Sequence, residues 1–265
     1  MSHPQKRKML LAAAVLCAAV LQVSGASSGT SLAMVTQMVN RMGGRERYES
    51  FPFFRFDFAV DKSGKRVLLA RHLWDHASGR YRVEWAGTDG KLRTVLFNLH
   101  DRKGKAFVDG MPAPEEQAVD LKQAYQRFIN DSYWLLAPFK TGDPGVKLTV
   151  VQPKQLDGVT YDVLHLKFAS VGLTPGDQYW LFVNPMTHLL DQWAFFLQSF
   201  PGTPSLEKAT AWNWTDYQDA GGGLIVSVTR TTADQKTKIS FPVARILDSV
   251  PNRVFEDPRS SLPDR

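Results

Sequence analysis

The chain has 265 residues, 43% of them hydrophobic and 22% charged, a formal net charge of +6 and a single cysteine. This is a globular composition, not a disordered one, and the length suits one large all-β domain or two small ones. The charge is mild and no basic cluster interleaves with aromatics, which argues against nucleic acid as a partner.

The N-terminus reads as a cleavable export signal. Lys6, Arg7 and Lys8 form a basic start, Met9 to Val23 is apolar, and Ser24-Gly25-Ala26 supplies small residues for a cut after Ala26. The apolar run is shorter than the roughly 20 residues a spanning helix needs. Cys17 lies inside that run and follows Leu16, where a lipoprotein signal needs a small residue, so lipidation is not expected. Removing residues 1–26 takes away three basic residues and no acid, which leaves +3 and no cysteine. A mature chain without cysteine has no disulfide, thiolate nucleophile or cysteine metal site. An exported protein of this size held together by its core alone suits a bacterial periplasm.

After a short Ser/Gly/Thr leader, Leu32, Val35, Met38/Val39 and Met42 recur at helical spacing, and Gly43-Gly44 ends that helix. The period then changes to two. Phe54, Phe56, Phe58 and Val60 share one face, with Arg55 and Asp57 on the other. Strands at Val67–Trp74, Tyr81–Trp85, Val95–Leu99 and Ala106–Val108 follow, joined by turns that include Asp89-Gly90. Pro112 and Pro114 break this meander, and Glu115–Ile129 is predicted as a second helix. Its apolar stripe, Ala118, Leu121, Ala124/Tyr125 and Phe128, faces the open side of the sheet. Strand signals resume at Tyr133–Pro138 and continue at Leu148–Val151, Thr160–Phe168, Gln178–Asn184, Leu189–Leu197, Ala209–Tyr217, Leu224–Arg230 and Lys236–Ile246. Residues from Pro251 onward read as a loosely held tail.

The sum is a mainly β (α+β) fold: one antiparallel sheet of roughly a dozen strands with two covering helices. A sheet that long curls toward an incomplete barrel. No composition shift divides residues 27–256, so they form one domain, with 257–265 as a loose end.

Catalytic signals are weak. His72-Leu73-Trp74-Asp75-His76 runs from strand into turn, not along the helix that would bring positions i and i+4 onto one face, and no third zinc ligand is indicated. No Gly-x-Ser-x-Gly elbow stands between a predicted strand and a predicted helix. The Gly221–Gly223 run joins two strands and lacks the Lys-Ser/Thr of a phosphate loop. No catalytic residue, metal or cofactor is therefore assigned. The stronger feature is an aromatic set: Trp134, Trp180, Phe182, Trp193, Phe195, Trp212 and Trp214. Each alone fits a packed core as well as a cavity wall, but the set is more aromatic than close packing needs.

Several phrases carry a family resemblance. They are Met42-Gly43-Gly44, the run from Asn130-Asp131-Ser132-Tyr133-Trp134 to Phe139, Asp143-Pro144-Gly145-Val146, Gly172 to Asp177, and Val250-Pro251-Asn252-Arg253-Val254-Phe255. Across residues 32–256 the chain resembles uncharacterised bacterial exported proteins allied to the Lol-type (LolA/LolB-like) periplasmic lipoprotein carriers. The resemblance implies an incomplete β-barrel lidded by helices around acyl chains or another hydrophobic guest. The resulting expectation is a monomeric, non-catalytic periplasmic carrier of a lipid or acylated lipoprotein. Leu121, Tyr125 and Phe128 would sit on its lid helix, and an envelope protein would be a possible partner. The alternative is an envelope structural or assembly protein with a packed interior.

Overall fold

The computed structural model describes residues 21–169 and 174–263. The basic start, most of the apolar run and Cys17 lie outside the described residues, as does part of the Gly172–Asp177 phrase.

The first helix, α1, spans Leu21–Arg41, so it begins earlier than the predicted Leu32 and takes in the supposed leader. Val35, Met38, Val39 and Met42 are its buried stripe. Gly43 and Gly44 both have positive φ, and the Gly44 amide donates to the Val39 carbonyl, closing the helix as expected. Gly43 is required for a second reason: a Cβ there would lie 2.2 Å from the Gly223 carbonyl oxygen. A short helix that periodicity had not suggested, α2, follows at Arg45–Ser50.

The first meander comprises β1 (Phe53–Lys62), β2 (Lys65–Asp75), β3 (Arg80–Ala86), β4 (Leu92–Asn98), β5 (Gly104–Val108) and β6 (Met111–Pro112). Helix α3 then runs from Gln117 to Lys140. The second run of strands is β7 (Val146–Leu156), β8 (Val159–Phe168), β9 (Gln178–Val183), β10 (Leu190–Phe196), β11 (Thr210–Asp219), β12 (Ile225–Thr232), β13 (Thr237–Ser240) and β14 (Ala244–Leu247). The β7–β8 hairpin turns at Asp157-Gly158, both at positive φ, as the Asp-Gly signal requires.

These form one antiparallel sheet of 14 strands in the order β6-β5-β4-β3-β2-β1-β13-β12-β11-β10-β9-β8-β7, with β14 paired to β1. Its two ends, β6 and β7, do not pair, so the sheet is curled but not closed. The main core fills its concave face beneath α1 and α3.

Three expectations are corrected. Tyr133–Pro138 is not a strand but the second half of α3. The aromatic content suggested β structure, yet a helical stripe runs unbroken through Ala124, Asp131, Leu135, Leu136 and Phe139, all buried. Packing of that stripe overrides propensity, and Pro138 is accommodated near the C-terminal end, where the Thr141 hydroxyl donates to its carbonyl at 2.7 Å. Lys236–Ile246 is not one strand: Pro242 separates β13 from β14, because proline cannot donate to a ladder. The tail is not loose through residue 262. Arg82 donates to the carbonyls of Val254, Asp257, Pro258 and Ser260 at 2.8–2.9 Å. Val254, Phe255 and Leu262 pack with Leu73 on the outer face of the sheet. Sequence alone does not reveal this strap, because it depends on a buried arginine more than 170 residues upstream.

Candidate functional site

Between the C-terminal half of α3 and strands β7–β10 the core opens into a cavity of about 510 Å³. That volume falls within the range of small-molecule sites. Aromatic rings make most of its wall: Tyr133 and Trp134 from α3, Phe168 from β8, Tyr179 from β9, and Trp193 and Phe195 from β10. Their centroids lie close together, with Trp134 4.6 Å from Trp193, Tyr179 5.3 Å from Trp193 and Phe168 5.7 Å from Tyr179. The T-shaped and tilted geometries are those that aromatic quadrupoles favour. Lys140, Asp143 and Thr174 supply polar groups to the same cavity.

The predicted aromatic set divides in three. Trp134, Trp193 and Phe195 line the cavity. Trp212 and Trp214 pack behind it, 5.0 Å from Trp134 and 5.1 Å from Trp193 respectively. Trp180 and Phe182 are on the other face of the sheet, in a separate cluster with Val163, Ala194 and Phe196. The β9 run Gln178–Val183 is apolar at almost every position, so no alternation marks its inner side. A choice of face that is off by one residue exchanges the whole set. The wall residue of β9 is Tyr179.

The expected lid residues do not line the cavity. Phe128 packs over the first meander, 5.0 Å from Tyr81 and 5.4 Å from Trp74. The Tyr125 hydroxyl accepts from Arg102, and Leu121 packs on the same core. Near its middle α3 is anchored by a polar group that the sequence presents only as a hairpin end. His72 Nε2 lies 3.1 Å from Asp131 Oδ2, and Tyr81 Oη lies 2.9 Å from His72 Nδ1. The imidazole stacks on Phe56 at 4.3 Å, and Arg127 Nη1 approaches Asp131 at 3.8 Å. Burial pushes the His72 pKa down while Asp131 pulls it up. His72 is fully buried and Asp131 nearly so, and none of the three lines the cavity. The arrangement joins α3 to β2 and β3; it offers no surface to a substrate. His76 packs separately against Phe51 and Trp74. Among the described residues no cluster of three His, Cys, Asp or Glu is placed to hold a metal. Nor is any helix among them long and apolar enough to cross a membrane.

The electrostatics of the cavity were not legible beforehand. Burial pushes the Lys140 ammonium down against the pull of Asp143. It pushes the Asp143 carboxyl up against the pull of Lys140 and Arg45. Asp177 is already saturated, accepting from the Thr174 hydroxyl at 2.6 Å, the Gln198 amide at 2.8 Å and the Tyr179 hydroxyl at 3.5 Å.

No family model matches the chain, and no curated protein does. Similar solved structures include a DUF1329 family protein from Desulfovibrio piger, with a TM-score of 0.48 and 9% identity over 85% of this chain and 96% of that one. A LolA superfamily protein from Nitrosomonas europaea has a TM-score of 0.43 and 10% identity over 82% and 95%. A putative outer membrane lipoprotein-sorting protein domain from Vibrio parahaemolyticus has a TM-score of 0.44 and 7% identity over 86% and 96%. At these identities the likeness is one of shape, and function has to come from the site itself.

Proposed function

We propose that the chain is an exported, non-catalytic binding or carrier protein for a hydrophobic guest, a lipid or acyl chain, acting in the bacterial periplasm after a cut following Ala26. The observation that carries the reading is the aromatic-walled cavity between α3 and β7–β10. Binding there is a matter of shape and burial. Each methylene removed from water contributes about 0.8 kcal/mol, so part of an acyl chain is enough for useful affinity. The expected lid residues lie on the face of α3 that is pinned to β2 and β3, so the guest enters beside Lys140, Asp143 and the exposed Pro144 and Thr174. A structural protein with a packed interior offers no reason for a cavity at this place.

Native mass spectrometry of the protein purified gently from a periplasm, followed by solvent extraction, tests this. A stoichiometric acyl-containing mass is expected. A clean apo mass, together with no saturable uptake of an apolar fluorophore, overturns the reading. Trp134→Asp places a charge in the cavity wall and abolishes uptake, whereas Trp180→Phe on the outer face leaves it unchanged.

A further inference from the structure

The cavity's volume and its polar groups restrict the guest further, given the binding reading above, on which this step rests. At about 30 Å³ per water-sized group, about 510 Å³ holds roughly seventeen such groups. That matches the heavy atoms of one medium-length acyl chain with its headgroup. Among the described residues the Lys140 ammonium makes no hydrogen bond or ion pair within 4 Å, and it is the one cationic group in the cavity lining; the Asp143 carboxylate, its neighbour in the lining, attracts it electrostatically. The buried indole N–H of Trp193, a wall residue, also has no acceptor. Of the two lining carboxylates, Asp177 is occupied by three donors. A ligand acceptor that meets the Lys140 ammonium gains a charge-assisted hydrogen bond.

We propose that the guest is a single-chain amphiphile bearing a carboxylate, with its chain against Trp134, Trp193 and Phe195 and its headgroup on the Lys140 ammonium. One ammonium suits one negative charge. A phosphate headgroup is typically met by arginine forks or several donors, and no arginine lines the cavity. Asp143, beside Lys140, sets the limit on charge: it weakens the hold on a monoanion and disfavours a dianion more strongly.

The test is displacement of a bound apolar fluorophore from the full chain by myristate, methyl myristate and a single-chain lysophosphatidate. Myristate is expected to bind about tenfold more tightly than its methyl ester, the worth of one charge-assisted hydrogen bond. Lys140→Met should equalise the two, Lys140→Arg should retain the preference, and Asp143→Asn should widen it. If Lys140→Met does not fold, the Lys140→Arg and Asp143→Asn ratios decide. Equal binding of acid and ester by the unmodified protein overturns the headgroup assignment and leaves the apolar-guest reading standing. Tightest binding of the lysophosphatidate overturns the carboxylate in favour of a phosphate. If none of the three displaces the fluorophore, the single-chain assignment falls. If the fluorophore itself does not bind saturably, the apolar-guest reading falls with it.

Discussion

Where α3 faces the first meander the interior is sealed: Phe128 meets Tyr81 and Trp74, and His72 bonds Asp131. Where it faces β9 and β10, Tyr133 and Trp134 border a hollow walled by equally large rings. Both sides are rich in aromatics, so the difference is not one of hydrophobicity. On the first side rings of strands and helix meet directly, Phe56 stacked on His72 and Phe128 edge-on to Tyr81. On the second, the rings of β10 and β11 pack laterally against each other, Trp193 on Trp214, and leave the space beneath the helix unfilled. A single helix thus serves as clamp on one face and cavity wall on another.

Removing the clamp is the strongest way to break this contrast. Asp131→Ala leaves Arg127 and His72 without their shared carboxylate, and loss of one partner from a buried pair costs about 3 kcal/mol or more. Urea denaturation should show that loss; a change under about 1 kcal/mol would mean that the pair does not hold the helix. Matched truncations sharpen the contrast. Phe56→Ala, on the sealed side and fully buried, should cost about 4 kcal/mol, as large-to-small core changes do. Phe195→Ala, in a wall already facing empty space, should cost about 1 kcal/mol, because fewer dispersion contacts are there to lose. Equal costs would mean that the cavity is collapsed in solution.

Legibility followed the same division. In the first half, alternation is strict: Phe54, Phe56 and Phe58 were assigned to one face, and all three lie in the main core. There the sequence pattern is the structure, because one face of each strand is apolar and the other charged. In the second half, Trp180 and Phe182 were placed on the wrong side, since β9 and its surroundings are apolar on both faces. Tyr133–Pro138 reads as strand for a related reason: rings and a proline favour strand or break locally, and only the buried stripe reaching Phe139 reveals the helix. Lys140 and Asp143 were missed altogether. Nothing in their neighbourhood in sequence distinguishes them from a helix end and a turn; the cavity does.

The smallest expected effect is in the pH dependence, and it isolates the clamp without removing it. His72 is held neutral in the folded protein, its pKa pushed below the ordinary 6.5 chiefly by burial. Unfolded chains take up a proton there as pH falls through 6.5, while the folded protein does so only at lower pH. Below 6.5 the unfolded state therefore binds more protons, and stability falls on acidification with a slope of at most about 1.4 kcal/mol per pH unit from this one group. Above about pH 6.5 the effect is absent. His76 and His165 are lowered as well, and Asp120 and Asp143 are raised and oppose them at lower pH. The informative quantity is thus the difference between the unmodified protein and His72→Phe, which keeps a ring against Phe56. The variant is less stable at pH 8, where it lacks the bond to Asp131. Its profile between pH 7 and 5 should be flatter, so the gap narrows as the medium acidifies. Parallel profiles across that interval would mean that His72 takes up its proton in the folded state as readily as in the unfolded one, and that burial under α3 does not govern it.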